Sequence, residues 1–413
     1  MKPARLLFSF TLPRLRRMAS DSAWGRISRR MYICIVYDCL FPWTIGGAER
    51  WYRNLAERLV REGHQVDYYT LTQWDADEPP ILEGVRVIAA GPRLALYNGT
   101  RRTIWAPLRF GMGVFMRLLR DGRRYDVVHT ASFPFFSLLA IAILRPFLGY
   151  RVVCDWHEVW SLAYWKAYLG PVAGRIGAMI QWLCAALPQR AYSFSRLHAD
   201  RLRALGRSDV TILTGEYEGG AEHGSYLASA DPPELVYAGR MIAEKRITLL
   251  IDAIAVARQS IPGLRARIFG QGPEYPNVQE RVRRHALEDN VTLEGFVESG
   301  TVDYAMRTAF CIVQPSSREG YGMVVVEASA RGVPAVVVAG EDNAAVELID
   351  EGLNGFVATA AEPEALAAAI LHCWRAGEAL RLSTRQWYAQ KATQLSLETS
   401  LRTVVQHYSS ERS

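Results

Sequence analysis

Short apolar runs alternate along this chain with longer stretches of helical periodicity. Tyr32 to Tyr37, Val66 to Tyr69, Val85 to Ile88, Asp126 to His129, Arg151 to Cys154, Tyr192 to Phe194 and Val210 to Leu213 read as buried strands. Patterns such as Ala48 to Arg61, with apolar positions on one helical face, separate them. The second half repeats the scheme with Leu235 to Tyr237, Ala266 to Phe269, Val291 to Glu294, Phe310 to Val313 and Ala335 to Val338. Strands that alternate with helices predict a parallel sheet covered on both faces, here twice over. Thr214 to Pro233, rich in Gly, Ser and Glu with two prolines, has the composition of a linker between the halves. The expected organisation is an arm at 1–30, a first α/β domain at 31–213, the linker at 214–233, a second α/β domain at 234–385 and a helical tail at 386–413.

A length of 413 residues fits this division, because one hydrophobic core rarely organises so long a chain. The net charge of +6 suggests nucleic acid until its distribution is examined. Residues 1 to 30 hold eight bases (Lys2, Arg5, Arg14, Arg16, Arg17, Arg26, Arg29, Arg30) against Asp21, and the remaining 40 bases and 41 acids nearly cancel. The basic character belongs to the arm, so no nucleic-acid partner is expected. The arm lacks a long apolar core, which argues against a secretory signal. Two readings of it stand: a start codon placed upstream of Met31, or a membrane-seeking arm. Six scattered cysteines without C-x-x-C spacing read as free thiols in a reducing, cytoplasmic compartment.

Between Arg93 and Arg124, eight arginines face only Asp121, interleaved with the apolar Ile104-Trp105 and Phe110 to Leu119. This reads either as a helix with a solvated basic side or as a surface for anionic lipid headgroups at the inner face of the cell membrane. Phe133 to Leu144 is too short to cross a bilayer, which needs ~20 apolar residues.

Candidate chemistry lies where strands lead into helices, the ends at which open α/β sheets take ligands. Gly46-Gly47-Ala48-Glu49 follows the first strand and Gly270-Gln271-Gly272-Pro273 follows Phe269; each glycine pair taken alone reads as a plain turn before it reads as a ligand loop. Neither is a G-x-G-x-x-G fingerprint, and no P-loop occurs, so a dinucleotide dehydrogenase or P-loop kinase lacks support. Gly239-Arg240 and Lys245 place two bases beyond the strand Leu235 to Tyr237, suited to clamp a diphosphate. In Glu319-Gly320-Tyr321-Gly322-Met323-Val324-Val325-Val326-Glu327, Glu319 and two glycines stand at a predicted helix start, where free amides and the helix dipole favour anions. Glu327 lies two turns in, able to accept hydrogen bonds from a diol.

These segments, with His157-Glu158, Ala344-Ala345-Val346-Glu347-Leu348 and Gly352-Leu353-Asn354-Gly355, together resemble the retaining GT-B glycosyltransferases of family 4, the glycosyl transferases group 1 type. The likeness runs from Met31 to the C-terminal helices. It implies two Rossmann-like domains facing across a cleft, a nucleotide sugar of UDP or GDP type as co-substrate, no other cofactor, and a last helix that returns to the first domain. It further implies that Arg240 and Lys245, with Gly239 beside them, neutralise the donor diphosphate, and that Glu319 with the backbone of Gly320, Tyr321 and Gly322 holds the donor sugar. Glu327 would bind the ribose, His157 would reach the sugar from the first domain, and Gly46 and Gly47 would bring main chain near the phosphates and acceptor. Gly270, Gly272 and Val297 would line the nucleobase slot. The catalytic set is then Glu319, His157, Arg240 and Lys245, with no metal, since fixed cations can stabilise a departing diphosphate. The expected acceptor is a glycan or lipid-linked hydroxyl, with an anionic membrane surface as a further partner.

Three positions depart from the family pattern: Arg246 where glycine commonly follows the lysine, Thr214-Gly215 at the hinge, and Tyr321 in place of phenylalanine, whose added hydroxyl would read a donor group. Asp75-Ala76-Asp77 resembles the D-x-D of metal-dependent GT-A enzymes, but among Glu78, Pro79 and Pro80 it reads as a solvated loop. A sugar-nucleotide epimerase on the same fold and a non-catalytic sugar-nucleotide or lipid-binding scaffold are the competing functions.

Overall fold

The computed structural model describes residues 30–410 apart from 45, 76–79, 96, 99, 100, 104 and 220–226. The arm at 1–29 and Asp77 of the D-x-D candidate therefore lie outside the described residues.

The first half builds a seven-stranded parallel sheet from β1 (Tyr32–Val36), β2 (Gln65–Leu71), β3 (Val85–Gly91), β4 (Val127–Ala131), β5 (Arg151–Trp156), β6 (Arg190–Ser193) and β7 (Val210–Ile212), in the order β3-β2-β1-β4-β5-β6-β7. Its helices are α1 (Gly47–Arg61), α2 (Trp105–Asp121), α3 (Phe135–Leu148), α4 (Leu162–Leu169), α5 (Pro171–Ala186) and α6 (Arg196–Ala204). The second half has six strands, β8 (Glu234–Ala238), β9 (Arg265–Phe269), β10 (Val291–Gly295), β11 (Cys311–Gln314), β12 (Ala335–Val338) and β13 (Gly355–Ala358), in the order β10-β9-β8-β11-β12-β13. Between and after them come α7 (Ile247–Ala257), α8 (Tyr275–Arg284), α9 (Ser299–Thr308), α10 (Met323–Ala330), α11 (Pro363–Leu395) and α12 (Leu397–Ser410).

Strand alternation explains the two-faced burial. In β1, Ile33 and Ile35 enter the core shared with α1, whereas Cys34 and Val36 enter the core beneath α2, α3 and α5. In β8, Leu235 and Tyr237 face one layer and Val236 the other. The apolar run beginning at Phe133 becomes α3, stopped by Gly149 in the left-handed region (φ 79°). No helix among the described residues is long and apolar enough to cross a membrane. β13 escapes the sequence reading because Gly352 and Gly355 place turn signals against it.

α11 is broken at Gly377, where φ is 54° and ψ −142°. Its later part and α12 cross back to the first domain. Trp387, Leu401, Val404 and Tyr408 join the core that holds Ile33, Leu55 and Val127. His129 Nδ1 bonds the Tyr408 hydroxyl, and Arg151 donates to the Tyr408 carbonyl at 2.8 Å.

Candidate active site

Each sheet reverses its strand order at one place, between β1 and β4 and between β8 and β11. A crevice opens beyond the strand ends at such switch points. The loop leaving β8 carries Gly239 to Lys245, and the loop leaving β11 carries Pro315 to Gly322. Gly46 and Gly47 follow β1, and His157 follows β5.

In the second domain, the Lys245 ammonium forms an ion pair with Glu319 Oε1, and Gln314 Nε2 donates to the same oxygen at 2.6 Å. The two charged side chains are only 18% and 11% exposed. The loops are stapled together by the Ser317 amide and hydroxyl, which donate to the Glu244 carbonyl at 2.8 and 3.1 Å. Tyr237 Oη fixes the next turn by donating to the Arg240 carbonyl at 3.1 Å. A β-carbon on Gly270 would stand 1.9 Å from the Gly239 oxygen, and one on Gly272 would stand 2.3 Å from the Met241 oxygen. Their identity thus answers to the close approach of two backbone segments, which seats the Arg240 loop. Val297 packs half-buried against the core beyond β10.

Gly322 caps α10 in the left-handed region (φ 107°) and brings no side chain to its first amides. Glu327, further along α10, stands 3.8 Å from Arg50 of α1. Burial pushes its carboxyl upward in pKa, while Arg50 and Arg331 pull it back.

In the first domain, the His157 ring stacks on Phe194 (centroids 4.4 Å apart, 7° between planes) and meets Tyr52 edge-on at 6.0 Å. Its Nε2 is buried without a hydrogen-bond partner among the described residues. Burial lowers its pKa against the pull of Asp155 and Glu158, so the ring is neutral at neutral pH. Behind it, Asp155 accepts from Trp51 Nε1 at 2.7 Å and lies 2.9 Å from His129 Nε2. Burial opposes the Asp155 charge, but His129, His157 and Trp51 hold its carboxyl below the usual range. Gly47 opens α1, and a β-carbon there would meet nothing within 4 Å. Gly46 sits just before it in extended backbone, its added β-carbon meeting only the flexible Glu49 side chain.

The two walls touch. A β-carbon on Gly320 would lie 2.6 Å from the His157 carbonyl oxygen, so the glutamate signature abuts the His157 loop directly. Arg318 reaches between the rings of Trp160 and Tyr164, 4.8 and 4.6 Å from their centroids, and stands 3.2 Å from Glu158 and 3.7 Å from Glu244. Glu347 accepts from the Arg196 and Leu197 amides at 2.8 and 2.6 Å, capping α6 across the cleft, and Arg201 pairs with Asp342 at 2.5 Å.

Tyr321 corrects the sequence expectation: its hydroxyl donates to the Thr214 carbonyl at 2.5 Å, so it braces the hinge instead of reading a donor group. Arg246 has φ 47°, the left-handed region where glycine fits best, which accounts for the glycine commonly found there. Gln314, Arg318 and Arg50 were missed in the sequence. Adjacency to Glu319 was the only signal for Arg318, and Gln314 gave one only as a polar residue ending a buried strand.

The family model described as Glycosyltransferase Family 4 matches residues 45–241, and the one described as Glycosyl transferases group 1 matches residues 220–381. This chain is a GT-B glycosyltransferase of the family 4 type. Glycogen synthase of Mycobacterium tuberculosis is 25% identical to this glycosyltransferase over 316 residues, covering 71% of this chain and 75% of the relative. Among solved structures, sucrose-phosphate synthase from Thermosynechococcus elongatus superposes with a TM-score of 0.73 at 20% identity, covering 92% of this chain and 98% of its own. Anabaena HepE, solved in complex with UDP-glucose, gives 0.67 at 18%, covering 92% and 100%. The His157 wall of the glycosyltransferase lies within the first matched segment and the Lys245–Glu319 wall within the second.

Proposed function

We propose that this enzyme transfers a sugar with retention, and without a metal, from a UDP- or GDP-type nucleotide sugar to a hydroxyl of a lipid-linked or cell-envelope glycan at the inner face of the membrane. The observation that carries this reading is the Lys245–Glu319 pair at the switch point of the second sheet, with Arg240 on the same loop and uncapped amides at the start of α10. The UDP-glucose complex of the structural neighbour HepE supports a nucleotide sugar as donor.

Rupture of the anomeric bond leaves negative charge on the departing diphosphate. Arg240 and Lys245 supply fixed positive charge there, the role a divalent ion fills elsewhere. Lys245 would be shared between the diphosphate and Glu319, leaving the second Glu319 oxygen to accept from a sugar hydroxyl. Neutral His157 would offer Nε2 to the same sugar from the opposite wall, and Glu327 would take the ribose diol. Front-face attack, with the departing phosphate accepting the proton of the acceptor hydroxyl, would give retention.

The test is a thermal-shift and hydrolysis screen of UDP-, GDP-, ADP- and dTDP-sugars. One donor at 100 times its dissociation constant should stabilise the protein by ~2.7 kcal/mol. Full activity in an Arg240→Ala, Lys245→Ala variant would defeat the phosphate assignment, and loss of activity in EDTA would defeat metal independence. A product that forms without acceptor and keeps the nucleotide would indicate an epimerase.

A further inference from the structure

The outer surface of α5 inverts the usual pattern of a covering helix. Its buried side carries the small Gly174, Gly177, Cys184 and Ala185 with Gln181, while the larger Val172, Ile176, Met179, Trp182 and Leu183 stand 43–68% exposed. The spacing of 172, 176, 179 and 183 keeps these residues on one face. α3 packs beside α5 and exposes Ile143 and Phe147, the latter 75% exposed. α2, packed along α3, adds Trp105, Met112 and Met116. All three helices cover the same face of the first sheet and pack side by side, so their exposed apolar residues stand on neighbouring outer faces.

Charge selects the occupant. Of the four acids between Trp105 and Pro188, Asp155 is buried and the other three are only partly accessible: Asp126 holds the Tyr32 amide at 2.9 Å, Glu158 faces Arg318, and Asp121 is 21% exposed. Arg109, Arg120, Arg123, Arg145 and Arg175 are all exposed along the same stretch. An open groove of about 510 Å³ at the C-terminal ends of α3 and α5 is lined by Arg145, Arg151 and Arg190, with Asp209 its one acid. A second copy meeting this face would bring arginine against arginine, whereas anionic headgroups around buried acyl chains complement it.

The arginine run alone does not supply this binding. Arg124 is held by buried Asp67 at 2.6 Å and Arg117 by the Ala89 carbonyl at 3.1 Å, so neither is spare for a headgroup.

We infer that the apolar outer face of α3 and α5, flanked by α2, inserts into an anionic lipid bilayer and sets the cleft beside it to receive a lipid-anchored acceptor. This rests on the glycosyl-transfer reading for the acceptor, though not for the binding itself. α4 makes the connection: it runs into α5 at Gly170, while Tyr164 and Trp160 at its start grip Arg318 at the cleft. An acceptor anchored in the bilayer would thus reach the sugar site along α4 without leaving the membrane.

The experiment uses the full chain with vesicles of phosphatidylcholine, with and without phosphatidylglycerol. Wild type should bind the anionic vesicles and stay bound at about 1 M salt, where the Debye length is ~3 Å. An Ile176→Gln, Met179→Gln, Trp182→Gln variant should bind at least ~10-fold more weakly. Arg120→Gln with Arg123→Gln should cost only a few-fold. Lipids brominated on the acyl chain should quench a component of tryptophan fluorescence that Trp182→Phe removes, which separates insertion of α5 from any binding by the basic residues 1–30. Absence of that component, equal binding by the triple variant, or a concentration-dependent dimer that the triple variant abolishes would overturn the inference. Hydrolysis of a water-soluble nucleotide sugar should be unchanged in the triple variant. If it is absent in the wild type as well, the transfer reading fails independently of the membrane result.

Discussion

Replacing Lys245 by Met should damage stability and activity by separable amounts. The substitution leaves the Glu319 carboxylate, whose side chain is 11% exposed, with the Gln314 amide still donating to it at 2.6 Å. For charge centres roughly 4 Å apart, an effective dielectric near 20 gives an attraction of roughly 4 kcal/mol. Removing one partner of a buried pair costs ~3–5 kcal/mol because the survivor is left uncompensated. Gln314 offsets part of that, so a loss of ~3 kcal/mol is expected in urea denaturation followed by tryptophan fluorescence. Adding Glu319→Gln removes the stranded charge and keeps a hydrogen bond to Gln314, so the double variant should return to within ~1 kcal/mol of wild type. Donor hydrolysis should fall ~100- to 1,000-fold in Lys245→Met, the scale for losing one preorganised electrostatic contact, and should not recover in the double variant. A coupling energy below ~0.5 kcal/mol would show that the pair is not energetically linked. Recovered hydrolysis would show that neither charge of the pair is needed for the reaction.

Gly320→Ala should press a methyl group onto the His157 carbonyl oxygen, 2.6 Å away, forcing the walls apart; kcat/KM should fall roughly 100-fold with little change in thermal midpoint, and an unchanged kcat/KM would remove the contact from the mechanism. Arg246→Gly should raise stability by up to ~1 kcal/mol in urea denaturation, since a left-handed conformation costs ~1–2 kcal/mol for a residue with a β-carbon and glycine loses part of that gain in the unfolded chain. Burial, then Asp155, pushes the Glu216 carboxyl to about 8, above its unfolded value, so its protonated form favours the fold and stability falls as pH rises from ~4.3 towards 8. Glu216→Gln should therefore raise the melting temperature above pH 8 and leave it nearly unchanged at pH 4; an equal effect at both would refute the assignment.

The sheets were legible because their strands are buried on both faces and so print continuous apolar runs such as Ala335 to Val338. The ends of those strands were legible too, since Arg240, Lys245 and Glu319 are charges placed where an apolar run stops. What the sequence withheld were relations between distant segments and between side chain and backbone conformation. Arg318 has no visible reason to matter until Trp160 and Tyr164 close around it. The Tyr321 hydroxyl looked like a ligand group because its partner, a carbonyl at Thr214, leaves no trace in residue type. Arg246 stood out only as a departure from the usual glycine, and its left-handed backbone is what that glycine serves; φ is not written in the chain.

The return of α12 has a consequence for how this protein is made. A domain formed by the first half of a chain ordinarily finishes folding while the rest is still being synthesised. Here β4 and β5 are tied through His129 and Arg151 to Tyr408, and the α1 side of the first core is completed by Leu401 and Val404. Until those residues leave the ribosome, the first domain presents an unfinished apolar face, so its final structure forms only in company with the second domain.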